Sequence, residues 1–330
     1  MYAPDAQDIR IISNDLAERD GLTLICVFRN EFYLLPAFLT HYRALGVSRF
    51  ILLDQGDVML LDSTRRYGDS VIKEERPPRR RSKTDYRQIH LWRTALANRF
   101  CDGRWMVQCD VDEFASLPEG RRLDQLARRL ESNGKAGAWA GMIDIYPRHI
   151  SDLGPEADAA QDPREGQWYF DATRHFSLRR DGSAPRHHYA GVRSRLNRAH
   201  LAHAKPVGLW TALKLKLLGA RKSPSGRFVK PLLQKWQRGN YYLSSHETTL
   251  KLRPHVLIPL LHYRYTPALY EKVGWAMDSG GYSKGNSDYF TINSLLANMT
   301  AANASFLAPV SRRLTGYNDL KATRNARGLD

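Results

Sequence analysis

The chain of 330 residues contains only three cysteines, Cys26, Cys101 and Cys109, and no CxxC pair among them. So few, at such spacing, exclude a disulfide framework and a zinc site as expectations, and their apolar surroundings predict small core residues of a reduced, cytoplasmic protein. No apolar run approaches the roughly 20 residues that cross a bilayer, and the opening MYAPDAQDIR lacks the basic and apolar blocks of an export signal. Neither a membrane span nor export by such a signal is therefore expected. Acids are scarce in one place in particular. Between Ala172 and Arg238 there are sixteen Lys or Arg and one acid, Asp181, a balance of +15 within a net charge of +16. The rest of the chain is nearly neutral, which marks this segment as a docking surface for an anionic partner: anionic lipid, a lipid-phosphate acceptor or nucleic acid.

Trp105 to Phe114, WMVQCDVDEF, is the stretch richest in chemistry. A short apolar run delivers Asp110 and Asp112 at its carboxyl end, with Glu113 beside them. In a strand, alternate side chains share a face, so both aspartates are expected to meet one hard cation while Val111 turns inward. A calcium hand needs further acids and a loop glycine in register, which ASLPEG does not supply. The pattern points to a metal-bound diphosphate.

Leu22 to Phe28, LTLICVF, reads as a buried strand, followed directly by Arg29, Asn30 and Glu31. Pro36 suits a first helical turn, Phe38, Leu39, Tyr42 and Leu45 recur at helical spacing, and Gly46 closes the helix. RFILLD at 49–54 is a second strand ending in a carboxylate, which completes a βαβ unit and implies a parallel sheet. A short strand at Val71 and Ile72, helices over 85–99 and 123–130 and a strand over 138–146 continue the alternation. The expected class is α/β, doubly wound and mostly parallel, with residues 1–150 as its nucleotide-binding half. Residues 151–167 read as a polar linker, 151–240 as a basic helical insertion, and 241–330 as the acceptor-side completion with a weakly anchored tail after Val310. Within the insertion, Leu209, Trp210, Leu213 and Leu217 share a helical face flanked by Lys214 and Lys216, which suits either an anionic membrane surface or a core-facing helix.

In this order the pieces resemble a bacterial glycosyltransferase of the family 2-like group, related in pattern to glycosyltransferase family 92, with a GT-A nucleotide-sugar fold. The resemblance rests on FRNEFYLLPAFLTHYRALGVSRFILLD at 28–54, on TDYRQIHLWRTALANRFCDGRWMVQCDVDEF at 84–114 and on LLHYRYTPALYEKVG at 260–274, well under half the chain. It implies a metal-dependent, inverting transfer of sugar from a nucleoside diphosphate sugar, a UDP-sugar before others, to a glycan or lipid-linked acceptor. Arg29, Asn30, Glu31, Asp54 and Asp110 would then contact the nucleotide. Asp110 and Asp112 would hold Mn2+ or Mg2+, joined by His262 or, in competition with it, His246. The chain departs from the family's usual turn after the second strand, having Asp54-Gln55-Gly56-Asp57 there, and the basic insertion has no counterpart.

Inverting transfer needs a base for the acceptor hydroxyl. Glu113, Asp144, Glu247 and Asp278 are the candidates, with Glu247 preferred beside His246 and Asp112 the other catalytic carboxylate. Arg79, Arg80 and Arg81 are either diphosphate contacts or a solvated loop. His187, His188, His200 and His203 are expected as surface or phosphate-contact residues, and His41 as an ordinary helix residue. Two rivals use the same features. A nucleic-acid-binding protein would use the 172–238 charge with Trp210, Trp236, Tyr241 and Tyr242 for stacking. A metal-dependent phosphoesterase would use Asp110 and Asp112, but the further acid and histidine clusters it needs are missing.

Overall fold

The computed structural model describes residues 9–11, 21–28, 33–54, 70–74, 85–153, 162–188, 191–201, 228–252, 255–279 and 287–330. Arg29, Asn30, Glu31, the Arg79 to Arg81 run, His203 and the Leu209 to Leu217 stripe lie outside the described residues. Nine strands form one sheet: β1 (Ile9–Ile11), β2 (Leu22–Phe28), β3 (Val47–Asp54), β4 (Ser70–Glu74), β5 (Trp105–Gln108), β6 (Glu113–Ala115), β7 (Gly137–Asp144), β8 (Val229–Lys235) and β9 (Leu257–His262). Their spatial order is β1-β4-β3-β2-β5-β8-β7-β9-β6. Six strands run one way, β4, β3, β2, β5, β7 and β9, while β1, β8 and β6 oppose them. This is the mostly parallel, GT-A-like α/β sheet that the sequence implies.

The helices are α1 (Leu35–Ala44), α2 (Asp85–Phe100), α3 (Leu123–Ser132), α4 (Gly191–His200), α5 (Ala268–Ser279), α6 (Ser287–Ala301) and α7 (Tyr317–Ala322). β2 is buried along its whole length, with Thr23 its one polar side chain, because both faces are covered. Leu22, Leu24, Cys26 and Phe28 join the cluster that includes α1, whereas Ile25 and Val27 pack with Trp92, Leu96 and Ala97 of α2. All three cysteines are buried. Gly46 ends α1 in a left-handed conformation at φ +88°, and a Cβ there would lie 2.3 Å from the Asp124 carboxylate. The positive φ favours glycine here, and any larger residue would also have to displace the Asp124 side chain.

Two expectations change. Residues 229–235, counted with the basic insertion, form β8 at the centre of the sheet between β5 and β7. The strand is buried on both faces, and Lys230, Gln234 and Lys235 break up the apolar run of FVKPLLQKW that would have marked it. The tail after Val310 is tied down: Ser311–Arg313 pairs with Tyr169–Asp171, and buried Asn325 accepts from the His175 amide at 2.7 Å and donates to the Thr173 carbonyl at 2.8 Å. Its polar composition concealed long-range bonds that no local pattern signals.

Candidate active site

Parallel strands place their carboxyl ends on one edge of the sheet, and a crevice forms there. Asp54 ends β3, Asp110 follows β5, Asp144 ends β7 and His262 ends β9. Because β6 and β8 run the opposite way, their first residues, Glu113 and Val229, with Lys230 next, arrive at the same edge. Glu113 pairs in register with His262, and His262 with Asp144, so three neighbouring strands set these side chains in a row.

Asp110 and Asp112 do not share a strand face as expected. β5 stops at Gln108, and a tight turn follows, closed by the Glu113 amide donating to the Asp110 carbonyl at 3.1 Å. Val111 is buried, as expected, but the turn aims the two aspartates at different partners. Asp110 takes Arg93 of α2 at 2.6 Å and Lys230 at 2.5 Å, one on each oxygen. Asp112 faces His262 Nε2 at 3.3 Å and Lys272 of α5 at 3.7 Å. Glu113 is buried behind the turn, where it accepts from the Asp110 amide at 2.9 Å and meets Lys230 at 2.5 Å. α1 clamps the far side: Tyr42 donates to the Glu113 carbonyl at 3.0 Å, and His41 bonds the Ala115 carbonyl at 2.9 Å.

The row is held from α4. Arg193 grips Asp144 with two bonds of 2.6 Å, and Asp144 meets His262 Nδ1 at 2.5 Å. Arg193 also lies 2.9 Å from Nδ1, but both groups cannot donate to each other; the shorter carboxylate contact places the proton on Nδ1. Nε2 is thereby turned toward Asp112. Burial opposes charge on Asp144, yet Arg193 and His262 outweigh it and hold the carboxyl well below the usual range. Burial likewise opposes the His262 cation, but Asp112 and Asp144 raise its pKa above the ordinary imidazole value. For Asp110, burial is outweighed by Lys230 and Arg93, and the pKa falls to about 2. Glu113 goes the other way: burial, with Asp110 and Asp112 adding repulsion, overcomes Lys230 and lifts it to about 7.

Oxygen or nitrogen donors of Asp112, Glu113 and His262 lie within 4.8 Å of one another. A divalent cation fits the Asp112 and His262 pair best, because a histidine whose other nitrogen donates to a carboxylate is the usual oriented metal ligand. Both Glu113 oxygens already have partners. Asp110, expected as a second ligand, instead has both oxygens bonded by Arg93 and Lys230. His246 is not drawn into the group either. Its Nδ1 meets the Val229 carbonyl at 3.1 Å, and burial together with Lys230 lowers its pKa to about 3.

Among the base candidates, Glu113 and Asp144 are buried and bonded as described, and Asp278 is exposed on α5. Glu247 is half-buried in a ribbon of Tyr242–Ser244 with Glu247–Thr248. Asp54 is buried beside Phe28 at the ends of β3 and β2. The sequence pattern did not flag Arg93, Lys230, Arg193, Lys272 or Arg264. A lone lysine inside a strand such as FVKPLL was the available signal for Lys230. Arg264, two residues past β9, is opposed first by burial and then by Arg193, which lower its pKa.

Neither a protein-family model nor a curated protein matches the sequence. Among solved structures, S. aureus TarS is similar at 14% identity over 41% of this chain and 24% of that one, with a TM-score of 0.27. UDP-glucose pyrophosphorylase from Acinetobacter baumanii is similar at 12% identity over 46% of this chain and 65% of that one, with a TM-score of 0.24. The chain thus spans about a quarter of the first and just under two thirds of the second. Likeness at this level adds nothing to the reading of the site. Among the described residues, no helix is long and apolar enough to cross a membrane.

Proposed function

We propose that this chain transfers a sugar from a nucleoside diphosphate sugar, with UDP as the nucleotide, to a glycan or lipid-linked acceptor, using Mn2+ or Mg2+. One observation carries the proposal: the Asp110-to-Glu113 turn stands at the carboxyl edge of the parallel strands, with Asp112 facing an Asp144-oriented His262. When bound to Asp112 and His262, a divalent cation neutralises the charge that develops on the departing diphosphate. Asp110, fixed by Arg93 and Lys230 and 32% exposed, accepts hydrogen bonds from hydroxyls of the bound donor. Lys272 adds positive charge beside Asp112 where the leaving group forms. Glu247 takes the acceptor proton, and transfer inverts the anomeric centre. Arg29, Asn30, Glu31 and Asp54 complete the nucleoside contacts.

The nucleic-acid reading loses part of its basis. Lys230, Arg193 and Arg195 belong to the basic segment, yet they turn inward to Asp110 and Glu113, to Asp144 and to Asp171. The deciding test is calorimetric titration of UDP with and without manganese, beside an Asp110→Ala, Asp112→Ala double variant shown to be folded by circular dichroism. Metal-dependent binding that the variant loses is expected. Absence of UDP binding to the folded wild-type protein would overturn the proposal.

A further inference from the structure

The amino edge of the sheet carries a second recess, away from the crevice. β6 ends at Ala115, and the chain turns through Leu117 and Pro118 into α3, whose Leu123 amide donates at 2.8 Å to the Leu45 carbonyl just before β3. Between this turn and the first two turns of α3 lies a pocket of about 320 Å³, open to solvent, a volume that suits a small ligand. Leu126 and Leu329, both buried, and half-buried Leu117 form its apolar wall. The rest of the lining is Gln125 and three arginines, Arg121, Arg122 and Arg129, with no acid among them.

The three arginines are not equivalent. Arg122 closes on both oxygens of Asp124, at 2.8 and 2.6 Å. Arg129 bonds the main-chain oxygens of Asp330 at 2.9 Å and Gly328 at 2.6 Å, which fixes its guanidinium beside Leu329. Arg121 has its backbone set by a bond of 3.0 Å from its amide to the Pro118 carbonyl, while among the described residues no hydrogen bond or ion pair engages its guanidinium. An inorganic anion would meet the arginines and leave the leucines wet. An uncharged apolar molecule would cover the leucines and strip water from guanidiniums that gain no partner. A molecule with an anionic head for Arg121 and Arg129 and an apolar chain for the leucines satisfies both halves. A phosphate head suits them best, since its oxygens match the planar forks and its charge of up to two answers both arginines.

We propose that the pocket between Leu117 and α3 binds a phosphate that carries an apolar chain. The source of that phosphate is either a soluble phosphomonoester or a phospholipid presented by a membrane. The site is separate from the crevice and does not depend on the nucleotide-sugar proposal above.

The probe is octyl phosphate, titrated calorimetrically below its micelle concentration into wild type, Arg121→Gln and Arg128→Gln, with inorganic phosphate and octanol as the two half-ligands. Arg128 lies on the same helix, pairs with Asp124 at 3.1 Å and does not line the pocket, so the two variants lose the same charge at different places. Wild type is expected to bind octyl phosphate about tenfold or more tighter than either half-ligand. Arg121→Gln should lose about tenfold, the effect of removing a charge-assisted hydrogen bond, while Arg128→Gln matches wild type. No binding by wild type, inorganic phosphate bound as tightly as octyl phosphate, equal affinity in Arg121→Gln and wild type, or equal losses in the two variants would each overturn the site. Sedimentation with phosphatidylcholine vesicles, with and without phosphatidic acid, then separates the sources. If a membrane supplies the phosphate, wild type and Arg128→Gln sediment with the phosphatidic acid vesicles and Arg121→Gln sediments far less. If the ligand is soluble, the three proteins behave alike toward vesicles while their octyl phosphate affinities still differ. Arg121→Ser, read in the same way, takes the place of Arg121→Gln should that variant fail to fold.

Discussion

Helix α4 sends two arginines, two residues apart, to two buried acids, and the two meetings are built differently. Arg195 reaches Asp171 at 3.0 Å, and Asp171 also accepts from Tyr146 at 2.5 Å, whose hydroxyl bonds Ser311 at 2.7 Å. That network joins α4, the sheet edge and the tail strand, and its acid is 1% exposed. Arg193 begins a chain that passes through Asp144 and His262 to Asp112, which is 14% exposed at the crevice. The ion-pair chemistry is the same in both. The difference is the outlet: one network ends in an acid sealed inside the protein, and the other ends in an acid partly open to solvent.

The largest effect is expected next to the outward network, at the lysine that holds the acids flanking Asp112. Lys230 is 1% exposed and is shared by Asp110 and Glu113. Lys230→Met leaves buried carboxylate charge without its cation, a loss of about 3–5 kcal/mol in urea-unfolding stability. The same change leaves Asp110 held by Arg93 alone, so UDP affinity should fall as well. A variant with full stability would show that this lysine does not support the turn.

Next in size is a crossed pair. Asp171→Asn removes the buried ion pair with Arg195 and is expected to cost about 3 kcal/mol of stability, with UDP affinity in the presence of manganese unchanged. Asp112→Ala should do the reverse: about a hundredfold loss of manganese-dependent UDP binding, with stability within about 1 kcal/mol because His262 can release its proton. Matching losses in both assays for both variants would erase the distinction between the two networks.

Sequence pattern reached one side of this comparison better than the other. The βαβ unit was legible because LTLICVF and RFILLD are predominantly apolar stretches separated by a helix with Pro36 at its start and Gly46 at its end. The DVDE turn was legible as chemistry but not as geometry, since a strand and a tight turn place Asp110 and Asp112 with the same spacing in sequence. Lys230 and Arg193 were hidden for a different reason. Charge counted along the chain pairs the basic segment with its own neighbours, whereas their partners lie 120 and 49 residues away. The anchoring of the tail through Asn325 is long-range in the same sense.

The smallest effect separates the two histidines proposed as ligands. His246 is neutral in the folded protein, its pKa pushed from the ordinary 6.5 to about 3, first by burial and then by Lys230. The unfolded chain takes up that proton near 6.5, so the stability His246 contributes is full above this pH and is lost as pH falls toward about 3. His41 and His90, each lowered to about 4 chiefly by burial, act in the same direction. Glu113 opposes them, because its carboxyl is raised from the ordinary 4.5 to about 7; its contribution is full below 4.5 and is lost as pH climbs through 7. Wild-type stability alone therefore mixes opposing slopes, and the difference between variants isolates one. Glutamine at 246 keeps a donor for the Val229 carbonyl and removes the titration, so His246→Gln should flatten the loss between pH 6.5 and 4 in urea unfolding. With manganese present, its UDP affinity should match wild type, while His262→Gln, which disturbs the bonds to both Asp144 and Asp112, should lose it. A His246→Gln variant that lost metal-dependent binding would move the cation from the β9 side of the turn to the β8 side.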